Sequence, residues 1–463
     1  MKKALLLVLL AGCTTVGPDY QRPQVALPAQ YPTQGAETGP AVALDWWALY
    51  NDATLNELVA SAQKNNTDVR LAAARVQEAE ALFREARAAL FPDVTGGYQA
   101  TRNRVSTRTE PPPSALAGLE RSQHQLFAST NFEVDFWGRL SRGSEAAQAN
   151  LLSQRLSQDV VALTLAGATA QAYFSLRSLD AQAEVLDNTI RVRRDSLTIA
   201  QTRAEAGLAS DLDVYQARSA LADALVQQRD ARRTRALVER QLGQLSGKLD
   251  LKLVPADLFG LPIPPVPPAG MPSSLLERRP DIRAAEESLA AANAQIGAAR
   301  AALFPTISLT AALGTQSAEL SNLLASGAGI WSIGFGLALP LFDAGRRSAR
   351  VDQASARREQ SLANYQRSIE TAFREVADAL VNVEEFALAE SDLRERLLAA
   401  RNALDLTRVR YESGYSPYLE VLDAQRTAND AEITIVRHRQ ARLAFTVDLM
   451  KALGGGWNSG TEH

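Results

Sequence analysis

The sequence predicts a mainly α fold with β-structure. The chain is internally duplicated, with long antiparallel helical hairpins and four β-strands. Three observations predict this. First, Asp68 to Pro92 reads DVRLAAARVQEAEALFREARAALFP and Asp281 to Pro305 reads DIRAAEESLAAANAQIGAARAALFP, identical at 12 of 25 positions at an offset of 213. The echo resumes at an offset of 207, where Trp137-Gly138-Arg139 faces Ala344-Gly345-Arg346 and Glu205-Ala206-Gly207 faces Glu412-Ser413-Gly414. Such self-similarity defines a unit of roughly 210 residues. Second, no proline interrupts the stretches between Pro113 and Pro255 or between Pro340 and Pro417. Third, short segments ahead of the long helices alternate between two kinds of side chain.

The elements follow in order. Residues 1–12 join a charged start, Met1-Lys2-Lys3, to an apolar run ending in small residues, which describes a secretion signal. Leu10-Ala11-Gly12-Cys13 resembles the bacterial lipoprotein box, whose cysteine receives N-acyl and diacylglycerol lipid and becomes the mature N-terminus. Cys13 is the single cysteine, so no internal disulfide forms. Thr14 follows rather than Asp, which by the same resemblance favours the outer membrane. Acyl chains anchor without spanning, each buried methylene contributing about 0.8 kcal/mol. Residues 13–50 are read as a lipidated, extended N-terminal segment, rich in Pro and Gly to about Pro40.

Repeat 1 covers residues 51–260. Val69, Ala72, Val76, Ala79, Phe83, Ala86 and Leu90 recur at spacings of three and four, a closely packed helical seam that Pro92 stops. Two strands are expected at about 93–105 and 122–136. In the second, Leu126, Ala128, Thr130, Phe132, Val134 and Phe136 alternate with Phe127, Ser129, Asn131, Glu133 and Asp135. A helical hairpin over about 142–248 comes next. Its first arm is about 98–100 Å long at 1.5 Å per residue. Gly207 closes that arm and the return starts near Asp211.

A proline-rich linker, LPIPPVPPAGMP, occupies 261–272. Repeat 2, residues 273–453, runs through the same series. Ile282 to Leu303 carry the helical seam, and strands are expected at about 306–316 and 329–341. In the last strand Trp331, Ile333, Phe335, Leu337 and Leu339 alternate with Ser332, Gly334, Gly336 and Ala338. A hairpin over about 347–453 turns at Gly414 and returns from Pro417, and 454–463 is a tail.

Composition narrows the function. The 463 residues are 46% hydrophobic and 22% charged with a formal net charge of −3, so no basic excess points to nucleic acid. No run of 18 apolar residues is present, so no transmembrane helix is expected. Large residues on one strand face and small or polar ones on the other, over roughly ten residues, fit a membrane β-barrel. Four strands cannot close a barrel, and an open edge cannot sit in lipid. Several copies must therefore pool strands: two give eight and three give twelve. Helices leaving every strand on one side would continue that barrel as a tube through the periplasm.

Here the sequence resembles a known family. Asp19-Tyr20-Gln21-Arg22-Pro23, Arg278-Arg279-Pro280-Asp281-Ile282, Ala298 to Pro305, Glu375-Val376-Ala377-Asp378 and Lys451 to Trp457 resemble the TolC/OprM-like outer-membrane efflux factors, in their lipoprotein branch. The likeness spans essentially the whole mature chain. It implies a homotrimer with a shared 12-stranded β-barrel and a 12-helix periplasmic α-barrel. A mixed equatorial region would form from the N-terminal, linker and C-terminal segments. The implied role is exit duct of a tripartite multidrug efflux pump, partnered by a periplasmic membrane-fusion adaptor, an inner-membrane RND-type transporter and outer-membrane lipid.

The resemblance also names sites. Gly207, Leu208, Ala209, Ser210 and Gly414, Tyr415, Ser416, Pro417 are the turns that would receive the adaptor. Asp423 would form the periplasmic gate, with Glu420, Asp213 and Tyr411 beside it. From the residues alone, acids in a first helical turn also suit the helix dipole, by about 0.3–1 kcal/mol. An enzyme is not expected. The histidines are His124, His438 and His463, and no metal-ligand cluster or phosphate loop appears, so no cofactor beyond the lipid on Cys13 is foreseen. Two rivals to the duct are a non-conducting, periplasm-spanning structural lipoprotein and a type I protein-secretion duct.

Overall fold

The computed structural model describes residues 15–25, 28, 31, 42–106, 108, 119–267 and 275–455. The signal segment and Cys13 lie outside the described residues, as do parts of the linker and tail. Helices α1 (Ala53–Asn65) and α2 (Thr67–Ala88) precede strands β1 (Thr95–Arg104) and β2 (Glu120–Val134). Helices α3 (Arg139–Glu205) and α4 (Asp211–Ser246) follow. One turn, α5 (Leu275–Arg278), leads to α6 (Pro280–Ala301), β3 (Thr306–Ser317), β4 (Gly329–Ala338), α7 (Arg346–Glu412) and α8 (Tyr418–Ala452). Both α3 and α7 have 67 residues, about 100 Å at 1.5 Å per residue. Among the described residues no helix is long and apolar enough to cross a membrane.

Contacts divide the chain into two units. The first, residues 1–24, 76–154 and 285–365, holds all four strands. They form one antiparallel sheet in the order β1-β2-β3-β4. Strand β2 ends at Val134, two residues before the expected boundary. Asp135 is drawn off to cap α3, its carboxylate accepting from Leu140 N at 2.9 Å and Ser141 N at 2.6 Å. The helix consequently starts at Arg139 rather than 142. Strand β4 ends at Ala338, ahead of Leu339-Pro340, rather than at 341. Proline cannot donate to the ladder, so the pairing stops there.

The same unit holds down the chain's first described residues. Val16 N donates to Trp137 O at 3.0 Å, and Asn293 Nδ2 donates to Pro18 O at 2.9 Å. The buried Arg142 guanidinium reaches Asp19 Oδ1 at 2.6 Å. Arg22 forks onto Glu286 at 2.6 and 2.7 Å.

The second unit, residues 25–75, 155–284 and 366–463, has the larger core. Trp46, Tyr50, Leu55 and Val59 bury against Ala166, Ala170, Phe174, Leu242, Leu443 and Val447. Small residues on α3 let those rings approach. Tyr50 Oη and Thr446 Oγ1 share a 2.7 Å hydrogen bond, and Tyr173 Oη donates to Asp52 Oδ2 at 2.6 Å. Asp180 is buried between Arg177 at 2.7 Å and Arg235 at 2.6 Å. Both guanidiniums also hold carbonyls, Val254 O and Leu253 O, which ties the chain after α4 to the helices.

Candidate functional site

The residues singled out in the sequence fall in two places: the sheet of the first unit and the hairpin turns of the second.

In the sheet, register sorts side chains onto faces. Val134 pairs with Ile307 and Ile307 with Leu337; Phe132 pairs with Leu309 and Leu309 with Phe335. Ala128, Leu313 and Trp331 form another row. Alternation of Cβ direction puts all of them on one face. That face is bare: Trp331 is 79% and Ile333 80% exposed. The opposite face carries Ser308, Thr310, Gly334 and Gly336, and it is crowded. A Cβ on Gly334 would stand 2.6 Å from Thr310 Oγ1, and one on Gly336 2.7 Å from Ser308 Oγ. Large apolar residues therefore collect on one face of β3 and β4, and small ones on the other. At the strand ends nearest the helices, Trp137 donates to Pro305 O at 2.8 Å and stacks on Phe304 at 4.7 Å between centroids. Phe91 and Phe342 are exposed at the same level of the chain path. A bare apolar band bordered by aromatics is how a membrane sheet meets its interface. Among the described residues, strands β1 and β4 have no partner on their outer edges.

The turns are built alike. Gly207 and Gly414 take φ of +72° and +81°. Leu208 N donates to Arg203 O and Tyr415 N to Arg410 O, both at 2.8 Å. Gly207 N donates to Ala204 O at 3.0 Å and Gly414 N to Tyr411 O at 2.9 Å. These are paired Schellman closures. Such a closure usually tucks its last residue against the helix, but arginine occupies the facing position in both. Leu208 and Tyr415 are accordingly 70% and 81% exposed. Ser210 Oγ then caps α4 by accepting from Leu212 N at 3.1 Å, whereas Pro417 starts α8 without a side-chain cap.

The four residues proposed for a gate fall into two groups. Tyr411 is buried, with the Arg203 guanidinium 5.0 Å from its ring centroid and the Tyr418 ring at 5.5 Å. Burial raises the Tyr411 pKa, the Asp213 carboxylate raises it further and Arg203 opposes both. Burial likewise pushes Tyr418 up to about 12. The Tyr411 hydroxyl has no hydrogen-bond partner among the described residues. Asp423 lies apart from this cluster, paired with Arg426 at 3.0 Å, both exposed. The two line a groove of about 600 Å³ with Asp223, Asp430 and Arg193. Glu420 is exposed in the first turn of α8. Sequence reasoning missed Arg203, Tyr418 and Arg426. Arg203 alone carried a signal, as a basic residue in the last turn before a closing glycine.

Among the described residues no group of three or more His, Cys, Asp or Glu side chains is placed to hold a metal. An antiparallel sheet with a bare apolar face, joined to helical hairpins of this length, defines an outer-membrane channel protein. The profile of the outer membrane efflux protein family matches residues 58–248 and 271–455, and the chain belongs to that family. The toluene efflux pump outer membrane protein TtgF of Pseudomonas putida is 39% identical, covering 98% of this chain and 96% of that one. Outer membrane protein OprJ of Pseudomonas aeruginosa is 36% identical over 99% of this chain and 96% of its own. A membrane protein from Pseudomonas aeruginosa superimposes with a TM-score of 0.88 at 33% identity, over 97% of this chain and 99% of that one. The open-state MtrE channel of Neisseria gonorrhoeae gives 0.86 at 29%, over 97% and 100%. The protein is thus an outer-membrane efflux component, from a family of transport ducts rather than of enzymes.

Proposed function

We propose that three copies of this internally duplicated chain assemble into one exit duct of a tripartite pump. The observation that carries the reading is the four-stranded sheet with a bare apolar face and, among the described residues, two unpaired edges. An open edge in lipid leaves several kcal/mol of unmet backbone hydrogen bonding per group. Pairing β4 of one copy with β1 of the next removes every edge, and three copies give 12 strands. Six long hairpins, two per chain, would then enclose a 12-helix tunnel. Matching backbone at Gly138 and Gly345, with φ of +78° and +80°, supports the duplication.

The turns at Gly207–Ser210 and Gly414–Pro417 would receive a periplasmic adaptor, their exposed Leu208 and Tyr415 offering apolar contact. Asp423 would gate the tunnel, with Glu420, Asp213 and Tyr411 contributing to closure. The unmet Tyr411 hydroxyl supports a hydrogen bond to a neighbouring copy, since a buried unpaired group costs about 1–3 kcal/mol. Cys13 would carry the lipid anchor. By likeness to TtgF, the cargo would be small apolar molecules handed over by an RND-type transporter. Planar-bilayer conductance of the purified protein beside Glu420→Ala/Asp423→Ala tests this. Small, mostly closed, cation-preferring currents that rise in the variant support a gated duct. Unchanged conductance moves the gate elsewhere. Absence of current from both proteins, as folded oligomers, sinks the duct.

A further inference from the structure

The apolar face of the sheet ends abruptly, and what lies beyond it is basic. On β2 the bare face runs from Val134 to Leu126, nine residues, about what a tilted strand needs to cross hydrocarbon. Past Leu126, at the end of the sheet away from the helices, Ala100 pairs with His124, Arg102 with Ser122 and Arg104 with Glu120. Alternation keeps Tyr98, Arg102, Arg104 and His124 on the same face as Leu126 and Trp331. Tyr98 Oη and His124 Nδ1 are 2.7 Å apart with the rings stacked, an aromatic platform at the top of the apolar band. Arg102 reaches Glu120 at 2.6 Å, but both are largely exposed, and such a pair is weak and exchangeable. Arg104 is exposed and has no carboxylate partner among the described residues.

Of these two guanidinium forks, two residues apart, only Arg102 has a carboxylate partner among the described residues, which leaves a net positive charge on this part of the face. They stand on the same face, directly beyond its apolar residues. A ligand suited to that place carries apolar chains below and an anionic, fork-binding head above. Arginine matches phosphate oxygens in this manner. The outer leaflet of an outer membrane is built from a phosphorylated glycolipid of that description. We infer that Arg102 and Arg104, over the Tyr98–His124 platform, bind a phosphate of this glycolipid and fix the duct's depth in the outer leaflet. The inference rests on the reading of the sheet as a membrane barrel.

The test uses the purified full-length oligomer, with native mass spectrometry and titration of bisphosphorylated lipid A, its dephosphorylated form and inorganic phosphate. Arg102→Ala/Arg104→Ala is the variant, and Arg121→Ala, one residue out of phase on the opposite face, is the control. The double variant is expected to bind the bisphosphorylated lipid roughly thirtyfold more weakly, about fivefold per arginine. The control and the dephosphorylated lipid should show no such dependence. Equal binding by wild type and double variant overturns the site, as does an equal loss in Arg121→Ala. Displacement by inorganic phosphate at the same concentration assigns the site to free phosphate and also overturns it. Conductance is recorded on the same samples. Normal conductance with unchanged lipid binding removes only this site, while loss of conductance in every protein removes the barrel reading with it.

Discussion

The two hairpin turns share a backbone and differ in what lies under it. Hydrogen-bond pattern and glycine conformation repeat almost atom for atom at Gly207 and Gly414. Beneath them the contributions diverge. The first hairpin buries Ala200 and Ala217 in the cluster, with Leu197, Ile199 and Val214 packed half-buried against it, while the second buries Tyr411, Tyr418 and Val421. The first has a hydroxyl cap at Ser210, and the second starts at an uncapped proline. Turn geometry is therefore a shared frame. The chemistry of the end is set by buried aromatic rings that only one hairpin supplies.

The largest expected effect breaks that asymmetry. Tyr418→Ala empties the centre of the cluster and should cost about 3–5 kcal/mol of local stability. Hydrogen exchange at amides of 411–421 reads the loss. Ala217→Gly on the other hairpin should cost only about 1 kcal/mol. Equal losses would show that both hairpins carry the cluster. Base gives a second handle. The Tyr418 pKa is raised by burial, so its stabilisation is complete below pH about 10 and is lost as pH rises toward about 12. Tyr418→Phe should flatten protection between those pH values, and an unaltered profile would assign the base sensitivity to another group.

Next come the glycines, where the comparison predicts sameness. A Cβ at Gly207 meets nothing within 4 Å, and one at Gly414 only the Arg203 guanidinium at 4.0 Å. The penalty for valine is then conformational, about 1–3 kcal/mol at either turn. Matching losses for Gly207→Val and Gly414→Val, measured by exchange at each turn, sharpen the claim of a shared frame. A large difference would break it. A smaller effect follows at the caps. Ser210→Ala should cost about 1 kcal/mol at the start of α4, while Pro417→Ala removes no cap hydrogen bond from α8.

Much of this was legible in the sequence, for local reasons. Alternation specifies which residues of one strand share a face, so Leu126 with Phe132, Leu309 with Leu313 and Trp331 with Phe335 were each readable as a set before the register joined them. Proline stops were legible too: α2 ends at Ala88 before Pro92, and α6 at Ala301 before Pro305. Boundaries that depend on a competing hydrogen bond were not. Nothing in the alternation says that Asp135 abandons β2 to cap α3. The site was least legible where it depends on distant pairs. Arg203 meets Tyr411 across 208 positions, donating to its carbonyl at 3.3 Å, and no periodicity marks such a pair. The family resemblance, not spacing, grouped Asp423 with Tyr411. Within one chain Tyr411 lies under the influence of Asp213 and Arg203, and Asp423 pairs with Arg426.

That separation leads to the smallest expected effect on stability and the most telling one on function. Asp423 and Arg426 are an exposed pair three residues apart on one helix. Pairs of this kind contribute about 0.2–1 kcal/mol, so Asp423→Ala should leave exchange protection at the turns nearly unchanged. Tyr411→Phe should do little to protection as well, because it removes a hydroxyl that has no partner among the described residues. If Asp423 and Tyr411 act in closure between copies, each substitution should raise bilayer conductance without loosening its own hairpin. The two effects should add, because within one chain the residues belong to separate clusters. A double variant that conducts no more than Asp423→Ala alone would place both residues in one coupled closure. In that case the two clusters seen in a single chain would merge only when copies meet.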